Sequence, residues 1–298
     1  MSQAAAAKAE IAVIFATRGR PALVAEMARR LDGQTRKADH VFIVGAGEDD
    51  IAALPKDRAD LTALVGRTGT ALQRNDGLRL AEDAFRLLVF FDDDFLPSRF
   101  WLEHMRALFS ADPSIAGLTG MVLADGAGTA GLDLAEATAL VAARDHEPAG
   151  SAAFDETYGP YGCNMAFRAT AIAGMRFDER LPLYAWLEDA DFGARLRLRG
   201  RMGRASQLWG VHLGAKNGRE RGRRLGYSQI ANALYLTRKG SLGWRFTAPL
   251  VLRNLAANLW RAPAPEAHID RRGRLLGNLL ALRDFLCGIV EPERAIRL

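Results

Sequence analysis

The sequence predicts an α/β fold, a mostly parallel mixed sheet flanked by helices, with a helical extension at the C-terminal end. Three observations carry this. Short apolar runs rich in β-formers alternate with segments of helical spacing through the first third of the chain. The runs end at Thr17, Gly45 and Asp92, and open α/β sheets hold their ligands at the carboxyl ends of strands. Past residue 240 the pattern becomes one of amphipathic helices. The expected division is a sheet-bearing unit over residues 1–240 and a helical extension over residues 241–298.

Taken in order, Ile11 to Ala16 reads as a buried strand that stops at Thr17-Arg18-Gly19-Arg20-Pro21. Pro21 suits the first turn of a helix, and Ala22 to Leu31 carries apolar residues at helical spacing. Val41 to Val44 is a second strand running into Gly45-Ala46-Gly47-Glu48-Asp49-Asp50, and Leu61 to Val65 a third. Arg67 to Thr70 reads as a loop and Leu72 to Arg86 as a helix. Leu87 to Phe91 is a fully apolar strand, followed at once by Asp92, Asp93 and Asp94. Ala124 to Gly131 reads as a flexible loop, and Tyr158 to Asn164 as a glycine-rich turn entering a strand. Lys216 to Arg224 interleaves glycines with arginines, the composition of a mobile basic loop able to close over an anion. Pro249 is placed to open a helix in which Val251, Leu255 and Leu259 share a face while Arg253, Asn254 and Asn258 do not. Leu275, Leu279, Leu282, Leu286 and Ile289 make a second stripe.

Composition narrows the function classes. With 49% hydrophobic and 25% charged residues in 298, the chain can bury a large core and disorder is not expected. Two cysteines, Cys163 and Cys287, lie far apart, which argues against a disulfide framework or a zinc ribbon. Met1 to Glu10 has no apolar stretch behind a basic start, so a reducing, cytoplasmic setting is expected. Charge is divided unevenly: residues 195–298 hold 21 Lys and Arg against 6 Asp and Glu, and residues 1–194 hold 19 against 29. An acidic front fits metal chemistry, and a basic rear fits an anionic partner or a solvated arginine-rich surface.

The acidic triplet is the strongest chemical signal. Strand alternation would point Asp92 and Asp94 to one side, where both can reach a hard cation that takes oxygen ligands; the plainer alternative is a strand ending in a solvated turn. A second acidic group, Glu188, Asp189 and Asp191, opens a segment whose later residues Arg195, Arg197 and Arg199 are basic, as the helix dipole favours. The apolar and aromatic neighbours Tyr184, Trp186 and Leu187 can also desolvate a carboxylate and raise its pKa.

Taken together and in order, these motifs resemble the family 2 glycosyltransferases of the GT-A (Rossmann-like) fold, over about three quarters of the chain, Ile11 to Lys239. Thr17 and Arg20-Pro21 resemble the opening nucleotide-binding turn, and Gly69 with Arg74-Asn75 and Gly77 a helix start near the nucleotide. Asp92-Asp93-Asp94 resembles the D-x-D motif, Gly162 to Arg168 the acceptor-side segment, Glu188-Asp189 the ED motif, and His212 the metal-proximal histidine. The chain departs from the pattern at its second strand, where Gly45 stands at the end in place of an acid, leaving the nucleotide base open.

The resemblance implies a metal-dependent inverting glycosyltransferase that moves a sugar from a nucleoside-diphosphate sugar to a hydroxyl of a glycan or lipid-linked glycan acceptor, in surface or extracellular polysaccharide synthesis. Asp94, with Asp92 and His212, would hold Mn²⁺ or Mg²⁺, which neutralises the leaving diphosphate as a Lewis acid. Thr17, Arg20, Arg74, Asn75, Asp92, Asp93 and Asn164 would bind the nucleotide sugar, with the two arginines offering guanidinium forks to phosphate. Asp189 would be the general base, with Glu188 orienting the acceptor and Asp191 in reserve. A rival enzyme reading is a sugar-phosphate nucleotidyltransferase, for which Thr17 to Arg20 is a poor phosphate loop. A rival from another class is a basic nucleic-acid- or membrane-binding protein without catalysis. No recognition motif or aromatic platform supports nucleic acid. The C-terminal helices are too interrupted to span a bilayer, so packing on the domain, a homodimer contact and peripheral docking on the inner face of the cell membrane stay open.

Overall fold

The structure is a computed structural model that describes residues 8–147, 153–217 and 220–298. The chain begins with β1 (Ala9–Thr17), α1 (Pro21–Arg30), β2 (His40–Gly45), the single turn α2 (Glu48–Ile51) and β3 (Leu61–Val65). α3 (Thr70–Ala81) leads into β4 (Phe85–Asp92), β5 (Phe95–Pro97) and α4 (Trp101–Ala111). β6 (Ile115–Asp125), α5 (Leu134–Asp145), β7 (Phe154–Glu156), β8 (Asn164–Arg168), α6 (Glu188–Leu196) and β9 (Arg201–His212) complete the sheet unit. Three helices follow: α7 (Gly222–Lys239), α8 (Trp244–Arg261) and α9 (Arg271–Leu286).

One nine-stranded sheet runs in the order β3-β2-β1-β4-β8-β6-β9-β5, with β7 on β9. β1 to β4 are mutually parallel, β8 runs antiparallel between β4 and β6, and β6 is parallel to β9. The α/β class and the mostly parallel mixed sheet are therefore as expected. Both faces are covered, so the central strands are apolar on both sides: Val13, Val89 and Phe91 pack with α1 and α4, Ile14, Leu88 and Phe90 with α3 and α6.

Register does the work of assembly. Thr17 stands opposite Gly45, Ala16 opposite Asp92, Phe91 opposite Asn164, and His212 pairs with Asp125 on one side and Phe95 on the other. Four strand ends, those of β1, β4, β6 and β9, thus bring a hydroxyl, two acids and an imidazole to one end of the sheet.

Several boundaries differ from the sequence reading. The helix expected over Leu72–Arg86 stops at Ala81, because Phe85 and Arg86 already belong to β4, where Phe85 pairs with Ala9 and packs edge-on against Phe42. Ala124 and Asp125 are the last residues of β6 and not loop. Gly222 to Arg224 open α7, which shortens the basic loop; its Gly218 and Arg219, like residues 1–7, lie outside the described residues. Pro249 lies inside α8, which starts at Trp244 after the left-handed Gly240 turns the chain back from α7. In α8 Asn258 is buried and Leu259 exposed, the reverse of the expected face. No described helix is long and apolar enough to cross a membrane.

Candidate metal and donor site

Asp93 and Asp94 form a tight turn between β4 and β5, so simple strand alternation does not continue through them. Asp92 and Asp94 converge all the same. With His212 they present one ligand atom each within 4.8 Å of one another. Asp94 is buried: its Oδ2 accepts from the Ala215 amide (2.8 Å) and lies 3.2 Å from Arg20 Nη1, while Oδ1 faces His212 Nε2 at 3.3 Å. Asp92 is partly open and accepts from Arg74 Nη2 through Oδ1 (2.8 Å). Asp94 therefore has one oxygen engaged by protein donors and the other facing the imidazole. Two oxygens and one nitrogen in this arrangement suit Mn²⁺ or Mg²⁺.

His212 is held from behind. Its Nδ1 donates to Asp125 Oδ1 (2.9 Å), and Tyr161 OH donates to the other oxygen of Asp125 (2.7 Å) while its ring meets the imidazole edge-on. Burial disfavours the imidazolium, yet the carboxylates of Asp125 and Asp94 outweigh it and lift the His212 pKa to about 10. Burial also works against the Asp125 anion, but the His212 bond, the Ala127 amide and Tyr161 bring it down to about 2. Asp94 is likewise lowered, against its burial, by His212 and Arg20.

Beside this cluster, Thr17 Oγ1 donates to Asp93 Oδ2 (2.7 Å) and Arg20 Nη1 donates to Asp93 Oδ1 (2.6 Å). Burial nevertheless pushes Asp93 up to about 7. Arg20 also donates to the carbonyls of Asn217 and Ala215, and Arg18 pairs with Glu220 at 2.8 Å, so the loop after β9 is tied to the turn after β1. Arg74 is fully enclosed. It bridges Asp92, Glu188 and the carbonyl of Gly162, so the guanidinium joins the metal-side acids to those of α6.

Glu188 and Asp189 open α6 after a strained approach: Leu183, Ala185 and Leu187 all take left-handed φ values of 60°, 53° and 72°. Three non-glycine residues in that region, at alternate positions, mark a segment held by its surroundings. Burial raises Glu188 to about 8 despite Arg74, and its Oε2 is buried without a partner among the described residues. Asp189 accepts from Gly162 N (2.9 Å) and Ala190 N (2.7 Å), and its pKa is raised because burial outweighs these bonds. Asp191 is engaged by Arg195 and Lys239 and lies away from the cleft acids.

The structure thus brings together Thr17, Arg20, Arg74, Asp92, Asp93, Asp94, Glu188, Asp189 and His212. It does not bring Asn75 or Asn164 to the cleft surface. Asn75 is engaged by the backbone of Phe177 and by Glu179, and Asn164 pins β8 to β6 through Gly120 and Thr119. Sequence reasoning missed Asp125, whose only signal was an acid at the end of a β-rich run, and gave Tyr161 no role beyond its place in the glycine-rich turn. It also missed Asp50, which reaches back from α2 and accepts from the amides of Gly19, Ala46 and Gly47, fixing the turns after β1 and β2.

No protein-family profile and no curated protein matches the sequence. Solved structures do resemble the fold. The mannosyltransferase PcManGT from Pyrobaculum calidifontis, solved with GDP-Man and Mn²⁺, superposes with a TM-score of 0.52 at 16% identity over 98% of this chain and 79% of that one. S. aureus TarS 1–349, also solved with UDP-GlcNAc, gives 0.50 at 14% identity over 94% and 92%. The chain spans 44% of the longer S. aureus TarS chain. These likenesses show the fold, a GT-A-type curled sheet flanked by helices.

Proposed function

We propose that the chain is a metal-dependent glycosyltransferase that moves a sugar from a nucleoside-diphosphate donor to a hydroxyl acceptor with inversion. The observation that carries the reading is the convergence of Asp92 and Asp94 from the β4–β5 turn with His212 from the end of β9, joined through Arg74 to Glu188 beside Asp189. A divalent metal held by the first three would neutralise the diphosphate that departs. Asp189 would take the acceptor proton: its pKa is raised, and the Gly162 amide, 2.9 Å from Oδ2, fixes its carboxylate beside Glu188. Glu188, with a buried oxygen left over, would accept or donate a hydrogen bond to the acceptor. Attack from the base side in one displacement inverts the anomeric centre and needs no protein nucleophile. Asp93, Thr17 and Arg20 would line the nucleotide side. The solved neighbours' donors, GDP-Man and UDP-GlcNAc, support the donor class, and a glycan of surface or extracellular polysaccharide is the acceptor class in keeping with the resemblance.

Melting temperature should rise for one of UDP, TDP, GDP or CMP only when Mn²⁺ or Mg²⁺ is present, since a ligand of the native state must stabilise it. Asp94→Ala should abolish that shift. Indifference to every nucleotide and metal pair, or a shift unaffected by EDTA and by Asp94→Ala, would overturn the proposal. Proton NMR of the first product formed then reads the anomer.

A further inference from the structure

α8 and α9 turn Asn258, Gly277 and Asn278 inward beside Val251 and Ala281, and leave leucines and tryptophans outward. Against α7, Asn258 Nδ2 donates to Asn278 Oδ1 (2.8 Å), and Asn278 Nδ2 donates to the carbonyl of Gly226 (2.6 Å). Gly277 packs on the α7 backbone, where an added Cβ would meet the Arg223 carbonyl at 2.1 Å. Both helices use this seam, so their opposite faces look outward. There Leu252 is 64% and Trp260 86% exposed on α8, and Leu279 is 52% and Leu286 84% exposed on α9. Leu252 and Leu259 stand seven residues apart, as do Leu279 and Leu286, so each pair continues one stripe along its helix. Apolar stripes of this extent mark a contact surface.

Charge identifies the occupant. α8 carries Arg245, Arg253 and Arg261 and no acid; α9 carries four arginines and one acid, Asp284, which is buried and paired with Arg283 and Arg294. Arg245, Arg253, Arg272 and Arg283 are exposed beside the leucines. Trp244 and Trp260 stand at the two ends of α8, both exposed. Leucines between arginines, with indoles at the margins, are what an anionic bilayer surface binds: rings and leucines enter the headgroup layer while guanidinium groups meet lipid phosphate. A two-fold contact between copies would instead set arginines against arginines.

We infer that the outer face of α8 and α9 docks on an anionic lipid surface. The loop joining the two helices touches the candidate site's rim: His268 Nε2 donates to the carbonyl of Gly128 (3.3 Å), three residues beyond Asp125, and an added Cβ on Gly222 would collide with Asp270. Docking would therefore hold a membrane-borne molecule near the cleft.

Sedimentation of the full chain with phosphatidylcholine vesicles, with and without phosphatidylglycerol, tests this without donor or metal, and so independently of glycosyl transfer. Binding should require the anionic lipid and weaken in high salt. Arg245→Gln with Arg253→Gln should lower partitioning about thirtyfold. Leu259→Ser with Trp260→Ser should lower it at least as much, both with the wild-type melting temperature. Failure to bind anionic vesicles, or retention of binding by both variants, would overturn the inference. So would a dimer in sedimentation velocity that the Leu259–Trp260 variant dissolves, which would give the face to a second copy.

Discussion

An imidazole offered to a cation must keep one nitrogen bare and its ring fixed. Asp125 supplies both conditions for His212, by accepting the Nδ1–H hydrogen bond and being held in turn by Tyr161. The same carboxylate stabilises the imidazolium, so a metal arriving at neutral pH must expel a proton held with a pKa of about 10. Mn²⁺ affinity should therefore rise with pH through the neutral range, by up to about tenfold per unit for one proton released. Asp125→Asn should weaken Mn²⁺ binding about 10- to 100-fold and flatten that pH dependence, with the fold unchanged. Titration of free Mn²⁺ by electron paramagnetic resonance at several pH values reads both; equal affinity in the variant would remove Asp125 from the site. Asp92, Asp94, Glu188, Asp189 and His212 were legible because each stands in a local motif. Asp125 was not, because its meaning comes only from facing His212 across two parallel strands, and register is not a local property. Arg74 shows the complementary limit. Its residue type suggests phosphate, but its burial commits it to Asp92 and Glu188.

At the scale of elements, the cluster depends on how β6 and β9 end. Gly126 and Gly214 follow Asp125 and His212 and lie back to back: an added Cβ on Gly214 would stand 2.1 Å from the Gly126 carbonyl carbon, and one on Gly126 2.0 Å from the Leu213 oxygen. Gly214 is also left-handed, with φ at +65°. Gly214→Ala must separate the two turns, and with them Asp125 from His212. A loss of about 2–4 kcal/mol is expected in urea denaturation, together with weaker Mn²⁺ binding. A variant with unchanged midpoint and affinity would mean that the turns yield freely. Most strands and helices were readable from apolar runs and from Pro21. The errors share one cause, the neighbouring element: Phe85 is drawn into the sheet by Ala9 and Phe42, and α8 turns Asn258 inward because α9 and α7 offer it Asn278 and Gln229. A helix whose inner face is amide and glycine has a hydrophobic period that points the wrong way.

For the whole molecule, the sequence made the α/β class and the acidic front visible, but not that one end of the sheet would gather six acids around two arginines and an imidazole. That enclosure carries a cost with a definite sign. Burial raises Asp93 to about 7 and Glu188 to about 8, and lifts Asp92 and Asp189 in the same direction, while His212 is raised to about 10 by its carboxylates. Each folded-state pKa lies above its unfolded value, so each contributes stability that is complete at low pH and is lost as pH rises through the folded pKa. Asp94 and Asp125 shift downward, so their contribution is lost only as pH falls toward the acid range and is constant near neutrality. Between about pH 6 and 9 every changing term has the same sign. The metal-free protein in EDTA should therefore melt lower at each step upward, by about 2–4 °C per pH unit for each proton by which the states differ, at ~1.4 kcal/mol per proton. Glu188→Gln, which cannot ionise, should lose the part of the slope that extends from the ordinary glutamate range up to about pH 8. Mn²⁺ should flatten the remainder, because a bound cation favours the ionised carboxylates that burial opposes. A melting temperature that is level or rising over this range would mean that these acids ionise at ordinary values, and the enclosed cluster would then lack the electrostatic tension that makes it receptive to a cation.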